Sequence, residues 1–525
     1  MTASGPNRRK AVVVGAGPVG CLAAMSLAKM GWSVDIYEGR PDMRLPSSKA
    51  AAQQRSINLA ISARGLAAIQ AIDPGAAERF LSTVIPMHGR MIHDAQGRLQ
   101  SQPYDRDGQC INSIGRAFLN EDLLKEALAV PGIRAFFQHK VASIDFDRRI
   151  MKLQDVEAAR DVDVSFDFCV GADGSYSIVR RQLMRVVRMD YQQWYIPHDY
   201  LELKMPAGPP QEPGGDPSFL LDPNHLHIWP RHTFMLIALP NKDGTFTCTL
   251  FAPTADFDRL DSDEAIVRWF SQHFPDALPL IGEQALLEDF HRNPRSALMS
   301  IKARPYHYKD RAVLLGDAAH AMVPFYGQGL NCGLEDVRVL DVLLREAQVD
   351  ATSQVPEGEE DGRLASALAR YSETRHEDLV AICDLAMDNY VEMRHAVTTV
   401  AYRFRKALDN VLYSFNRKSV AAQDVFPALA KTTFVNAPSG WLPLYTMVSF
   451  RPDISYSTLR RRFQRQTEIL ELAGWLSVGA AVGTVGITCV TLLRRLYSRP
   501  QDHEASWMAA INIQYREGFG RGESA

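Results

Sequence analysis

Hydrophobic positions near the start of the chain come in short unbroken runs. Ala11-Val12-Val13-Val14 suits a strand buried on both faces, and Val34-Asp35-Ile36-Tyr37-Glu38 predicts a second strand. Between them, Gly15-Ala16-Gly17-Pro18-Val19-Gly20 predicts a turn, and Cys21 to Met30, rich in Ala and Leu, predicts a helix. From about Asp190 to Pro305 the pattern changes to period-two alternation. It is seen in Leu201-Glu202-Leu203-Lys204, around Leu226-His227-Ile228-Trp229, and from Phe246 to Phe251. Turn residues (Pro209-Pro210, Gly214-Gly215, Asn241-Lys242-Asp243-Gly244) separate these stretches, which predicts an antiparallel sheet. Arg311 to Asp341 returns to strand, loop and helix. Gln348 to Gly362 reads as an acidic surface loop, and Glu373 to Asn416 as mostly helix.

Leu472 to Leu493 is a run of 22 residues without a charge. As a helix it is about 33 Å long, against a hydrocarbon core of about 30 Å. Arg460, Arg461, Arg462 and Arg465 precede it; Arg494, Arg495 and Arg499 follow. Gly474, Gly479, Gly483 and Gly486 are costly in a soluble helix and common in membrane ones. The expectation is a transmembrane segment over 472–493 with a polar tail, 494–525; the alternative is a buried core helix. Basic flanks on both sides leave orientation open.

Composition narrows the class. Of 525 residues, 46% are hydrophobic and 23% charged, which excludes a disordered or fibrous chain. The net charge of -3 gives no electrostatic case for nucleic acid. The seven cysteines form no CxxC pair, which argues for a reducing compartment and against a disulfide framework or zinc site. His93, His198 and His227 lack metal-ligand spacing, and no metal is expected.

Three motifs carry chemistry. Gly15-x-Gly17-x-x-Gly20 lies between a strand and a helix, and Glu38 ends the next strand. Such glycines permit a tight turn and close backbone approach to a pyrophosphate. The helix N-terminus favours its charge, and the acid accepts from ribose hydroxyls. Gly316-Asp317 follows the apolar strand from Arg311. Asp317 there suits a ribitol hydroxyl or, alternatively, a plain helix cap. Downstream, Gly329-Leu330-Asn331 offers backbone N–H groups near a helix start, suited to the charge of a reduced flavin. Asp173-Gly174, after Phe168-Cys169-Val170, reads alone as a turn with an Asp cap.

In order and spacing these motifs resemble the three fingerprints of the single-component FAD aromatic hydroxylases. The resemblance implies that Gly15, Gly17, Gly20, Glu38, Arg116, Asp173, Asp317, Gly329, Leu330 and Asn331 bind FAD. It also implies NADPH as co-substrate without a second nucleotide domain.

The chain is further similar to the kynurenine-hydroxylating branch of that family. The similarity runs through Arg90-Met91-Ile92-His93, Pro103-Tyr104, Asn389-Tyr390-Val391-Glu392-Met393-Arg394 and Pro443-Leu444-Tyr445-Thr446-Met447-Val448. It implies a site for L-kynurenine made by Arg90, Tyr104, Asn389, Tyr445, Phe325 and Met393. An Arg fork matches a substrate carboxylate better than Lys does. Without the resemblance, Arg90 reads equally well as an exposed Arg lying over apolar neighbours. Tyr104 and Tyr445 then read as core tyrosines, and Asn389 as a helix cap.

The resemblance implies an α/β fold: a Rossmann-type FAD-binding domain (8–190 and 308–385), an interleaved antiparallel-sheet substrate domain (191–307), a helical C-terminal region (386–468) and the C-terminal transmembrane helix. It implies hydroxylation of L-kynurenine to 3-hydroxykynurenine by NADPH and O2 through a flavin C4a-hydroperoxide, in tryptophan degradation and de novo NAD biosynthesis. No catalytic side chain is needed, because the flavin carries the chemistry. The implied partners are small molecules and a membrane reached through the C-terminal helix, and the implied location is the mitochondrial outer membrane. The alternatives are another FAD-dependent aromatic hydroxylase or epoxidase, or a flavoprotein serving as an interaction platform.

Overall fold

The computed structural model describes residues 8–48, 58–210, 212, 214–353, 355–356, 358–415 and 440–473. The chain divides into two compact units, Met1–Phe463 and Gln464–Ala525. In the second, the described residues 464–473 are helical.

The apolar runs near the N-terminus form the centre of a six-stranded sheet. Lys10–Val14 pairs in parallel with Ser33–Tyr37 on one side and Phe168–Gly171 on the other. Ala312–Leu314 joins next to Phe168–Gly171, also in parallel, and His307–Tyr308 closes that edge antiparallel. Val12, Val13, Cys169, Val170 and Val313 have no exposed surface, as expected for strands covered on both faces. The parallel order has one functional result. Each of the three strands in the row delivers its motif from its C-terminal end: Gly15 after Val14, Asp173 beyond Gly171, and Gly316 beyond Leu314. Open parallel sheets place ligands at those ends.

The alternating segments form a seven-stranded sheet in the order Ser296–Arg304, Asp190–Met205, Phe246–Pro253, Phe234–Pro240, His225–Arg231, Gly89–His93, Leu99–Pro103. Its pairs are antiparallel except His225–Arg231 with Gly89–His93. The strand carrying Arg90 therefore belongs to this sheet, although it lies within 8–190 of the chain. Two long helices, Gly329–Glu346 and Gly362–Arg394, pack against each other; the first also lies on Pro18–Lys29 and Ala63–Ile72, and the second touches His307–Tyr308 of the first sheet and Ser296–Arg304 and His225–Arg231 of the second. All six described cysteines are free.

The expected transmembrane helix is not supported. Among the described residues no helix is long and apolar enough to cross a membrane. Of 472–493 only Leu472 and Ala473 are described; the rest of that run and the 494–525 tail lie outside the described residues. An uncharged run meets the length requirement for a span without showing that a helix forms over it. Attachment through such a helix loses the feature on which it rested.

Candidate active site

The three strand ends open onto a groove of about 700 Å³ lined by Gly15, Gly17, Glu38, Arg116, Asp173, Asp317, Gly329 and Leu330. Gly20 and Asn331 stand behind it. Gly15 has φ +103°, and a Cβ there would lie 2.4 Å from the Ala172 carbonyl oxygen. A Cβ on Gly20 would lie 2.0 Å from the Gly15 carbonyl oxygen, so the helix start can approach the turn only without a side chain. A Cβ on Gly17 would meet nothing within 4 Å, because that position faces the open groove. The Pro18–Lys29 helix begins there with its first amide groups unbonded within the helix and its positive end toward the groove.

The acids play different parts. The Glu38 carboxylate accepts from the Ala16 amide at 3.0 Å and from the Arg40 amide and Nε at 3.0 and 2.9 Å. Burial pushes this carboxyl up, but the bonds and charge of Arg40 outweigh it and hold it below the usual range. Glu38 thus braces the glycine turn while still lining the groove. Asp173 accepts from the Ser177 hydroxyl at 2.5 Å and from the Ile178 and Val179 amides at 2.7 and 3.1 Å. Ser177 is the N-cap of the short Ile178–Leu183 helix, and Asp173 holds that residue's hydroxyl and the helix's first two amides. Burial, stronger than these bonds, raises its pKa. Asp317 is the exposed acid of the three and faces the groove. Arg116, the first residue of the Arg116–Ala129 helix, is exposed on the groove wall.

The backbone N–H of Asn331 was the group its motif offered, and its side chain has a separate job. Its side chain is fully buried, accepting from the Ser62 amide at 2.8 Å and donating to the carbonyls of Ala60 at 2.9 Å and Gly327 at 2.6 Å. It pins the Asn58–Ile61 strand to the loop before its own helix. Only its backbone remains for a cofactor.

Beyond the groove lies a second cluster. Arg90 comes from the sheet, Tyr104 from the end of the next strand, and Tyr445 from the Leu444–Phe450 helix. The Tyr104 and Tyr445 rings stack at 4.6 Å with 7° between planes, and Tyr326 stacks on Tyr445 at 5.7 Å. The Arg90 guanidinium sits 5.1 Å from the Tyr445 ring centre and 6.0 Å from that of Tyr104. Phe325 stacks on Tyr390 at 3.9 Å and meets Phe251 edge-on at 5.0 Å. Asn389 donates to the Phe325 carbonyl at 2.8 Å, so its amide fixes the aromatic turn. Met393 is buried one helical turn further on.

The cluster is incompletely paired. Arg90 donates from Nη1 to Glu392 at 3.0 Å, and Glu392 also accepts from the Tyr402 hydroxyl at 2.9 Å. The buried Arg90 Nε and Tyr104 hydroxyl have no hydrogen-bond partner among the described residues. The Tyr104 hydroxyl lies near Arg90 and Tyr445 without a well-formed bond to either. Lys406 lies in the field of Arg90 and Glu392; burial, then the Arg90 charge, pulls its ammonium down to about 8. Two cations thus face one carboxylate, and two buried donors lack acceptors. Unmet donors of this kind are costly unless a ligand satisfies them. Glu392, Tyr402 and Lys406 were not singled out in the sequence. Glu392 sits in the quoted motif one turn from Asn389, which was a usable signal; nothing local marks Tyr402 or Lys406.

A buried trio of His320, Cys332 and Asp336 brings ligand atoms within 4.8 Å of one another. Arg375 bonds Asp336 at 2.8 Å and lies 3.5 Å from the Cys332 sulfur, which makes the trio a poor place for a cation.

A family model described as "FAD binding domain" matches residues 8–355. A kynurenine 3-monooxygenase of Cryptococcus neoformans is 44% identical over 509 residues, covering 94% of this chain and 99% of its own. That of Yarrowia lipolytica is 45% identical over 479 residues, 90% of this chain and 95% of its own.

The chain belongs to the kynurenine 3-monooxygenase family.

The Saccharomyces cerevisiae member is 42% identical over 89% of this chain and 95% of its own. Among solved structures, 2-methyl-3-hydroxypyridine-5-carboxylic acid oxygenase matches with a TM-score of 0.55 at 20% identity, covering 75% of this chain and 95% of its own. Tetracycline destructase Tet(51) matches with a TM-score of 0.53 at 17% identity, covering 82% and 99%. These two share the fold. FAD is the cofactor of this kynurenine 3-monooxygenase family member, with NADPH as co-substrate. The groove fits FAD: Gly17 leaves room for a pyrophosphate at a helix start, and Glu38 and Asp317 line it at two strand ends.

Proposed function

We propose that this protein hydroxylates L-kynurenine on its aromatic ring to give 3-hydroxykynurenine, using NADPH and O2. The observation that carries the reading is the buried Arg90 Nε and Tyr104 hydroxyl, two donors without acceptors beside a stacked aromatic wall. An α-amino acid with an aromatic ring answers that arrangement. Its carboxylate accepts from Arg90 and Tyr104, its ammonium meets Glu392, and its ring lies toward Phe325.

The other assigned side chains follow from the same placement. Tyr445 stacks between Tyr104 and Tyr326 and keeps the Arg90 subsite dry. Asn389 holds Phe325, and Met393 fills the same helix face. In the groove, Gly15, Gly17 and Gly20 shape the pyrophosphate turn, Glu38 and Asp317 meet sugar hydroxyls, and Arg116 offers a cation. Asp173 sets its own turn. The backbone of Gly329, Leu330 and Asn331 offers amides to the flavin ring. Bound FAD supplies the redox chemistry, accepting hydride from NADPH and activating oxygen for transfer. The aniline nitrogen of the substrate donates electron density to the adjacent ring carbon, so no side-chain base is required. Residues 8–190 with 308–385, 191–307 and 386–468 would act as cofactor, substrate-cover and closing regions.

The test is NADPH oxidation by the purified holoenzyme with and without L-kynurenine, with the product's mass. Stimulated turnover and a product heavier by one oxygen are expected. Stimulation yielding only hydrogen peroxide would make kynurenine an effector, and no stimulation with FAD bound would remove it as substrate.

A further inference from the structure

A buried guanidinium from outside the site holds the helix that carries Tyr445. Arg64 lies in the first turn of the Ala63–Ile72 helix and has no exposed surface. Its Nη1 donates to Glu335 Oε1 at 2.6 Å, and its Nε to the Val448 carbonyl at 3.2 Å. Nη2 donates to the carbonyls of Arg451 at 3.0 Å and Ile454 at 2.8 Å, with that of Met447 at 3.4 Å. The Tyr456 ring lies 4.1 Å from the guanidinium carbon.

The need for this cation is local. Leu444–Phe450 is a short helix that ends at Arg451 in a non-helical conformation, φ -123° and ψ 75°. The last four carbonyls of a helix have no donors within it, and here two of them, Met447 and Val448, point at Arg64. Arg64 caps from another element what a following glycine turn caps in many helices.

Arg64 is itself fixed. Glu335 is shared by Arg64, Arg338 at 3.2 Å and Arg375 at 2.8 Å. Arg375 continues to Asp336 at 2.8 Å and Asp378 at 3.4 Å. Asp336 accepts from the amide of Gly316, the glycine of the third flavin motif, at 3.0 Å. Asp378 accepts from the Ser457 amide at 2.9 Å, a second tie to the same C-terminal segment. One buried network therefore joins a flavin strand end to the segment bearing Tyr445.

We propose that Arg64 is a positioning residue for substrate: by clamping residues 447–454 it sets Tyr445 against Arg90 and Tyr104. It touches neither cofactor nor substrate and acts through Tyr445. The proposal rests on the reading of the Arg90 cluster as the kynurenine subsite. Arg is needed because three nitrogens spread over a planar fork reach four carbonyls and a carboxylate, whereas a lysine offers three donors from one point.

The test compares Arg64→Lys with the wild-type holoenzyme. Arg64→Lys keeps a charge opposite Glu335 but cannot span the carbonyls. Amide hydrogen exchange of residues 444–450 is expected to accelerate by about tenfold or more, while that of Lys10–Val14 stays unchanged. KM for L-kynurenine is expected to rise about tenfold with kcat within about twofold and FAD retained. Exchange accelerated throughout the chain, with KM unchanged, would reduce Arg64 to a general structural residue. Local acceleration without a KM change would leave a clamp that does not position substrate, and overturn the proposal. If Arg64→Lys does not fold, Asp378→Ala removes the Ser457 tie, together with the longer 3.4 Å contact to Arg375, and must give the same local signature. The exchange measurement uses no substrate, so a wild-type enzyme inert toward L-kynurenine would remove the substrate reading while the clamp remains separately tested.

Discussion

Arg90 and Glu392 meet at 3.0 Å, one from the Gly89–His93 strand, next to the edge of the seven-stranded sheet, and the other from the Gly362–Arg394 helix. The pair is unequal: the Arg90 side chain is 6% exposed and that of Glu392 31%. The cation is the desolvated partner, so a carboxylate arriving from solvent gains most by meeting Arg90.

Arg90→Ala is therefore expected to raise KM for L-kynurenine by roughly a hundredfold, about 3 kcal/mol for a charge-assisted contact, with FAD still bound. Arg90→Lys should recover little, since one ammonium cannot match both carboxylate oxygens. Steady-state kinetics and flavin content check this together. Loss of flavin with unchanged kynurenine affinity would move Arg90 out of the substrate site.

Lys406 adds a pH dependence. Its ammonium, pulled down to about 8 by burial and by Arg90, carries charge below that pH and loses it above. The positive field at the carboxylate subsite then weakens as pH rises through 8. KM for L-kynurenine should be flat from about pH 6.5 to 7.5 and climb beyond pH 8. In Lys406→Met the climb should vanish, with KM held at about the wild type's high-pH value from pH 6.5 upward. An identical pH profile in the variant would show that another group titrates.

The groove was legible because its information is local. Gly15, Gly17 and Gly20 are neighbours, and their steric need follows from spacing alone; Asp173 and Gly316-Asp317 each follow a buried run. Arg90 and Tyr104 come from consecutive strands but Tyr445 from a helix near the other end of the chain, and only resemblance to a family brought the three together. The Asn331 side chain shows the limit of motif reading: its partners Ala60 and Ser62 lie on and just after a strand distant in sequence. Glu392 and Lys406 were overlooked because a charged residue on a helix reads as solvated until its neighbours are known. The uncharged run at 472–493 misled in the opposite direction, since composition alone stood for a helix.

His227 should make stability fall in mild acid. It is 1% exposed, its Nδ1 bonded to His93 at 2.9 Å and its Nε2 to the Asp222 carbonyl at 2.9 Å, while His93 bonds Asp276 at 2.6 Å. Burial pulls its pKa from 6.5 to about 4. The unfolded chain therefore takes up the proton first as pH falls. Stability present in full above pH 6.5 is lost progressively down to pH 4, by about 2 kcal/mol at pH 5. Urea unfolding at pH 7 and pH 5 should show wild type losing about 2 kcal/mol more than His227→Gln. Equal losses would place the acid sensitivity elsewhere.

The glycine turn separates binding from folding by one atom at each of two positions. At Gly17, φ is -74° and ψ 175°, a conformation open to any residue, and an added Cβ meets no protein atom within 4 Å. Gly17→Ala should leave the apoprotein within about 0.5 kcal/mol of wild type. The methyl group enters the space a pyrophosphate needs, so FAD affinity should fall by tenfold or more, about 1.4 kcal/mol at least. At Gly20 the added Cβ lies 2.0 Å from a backbone oxygen, which cannot rotate away. Gly20→Ala should destabilise the apoprotein itself by about 3 kcal/mol or more, because the helix start must move off the turn. Thermal unfolding of the apoproteins and FAD titration by flavin fluorescence distinguish the two. If Gly17→Ala lowers apoprotein stability as much as Gly20→Ala, Gly17 shapes the turn and does not make room for the cofactor.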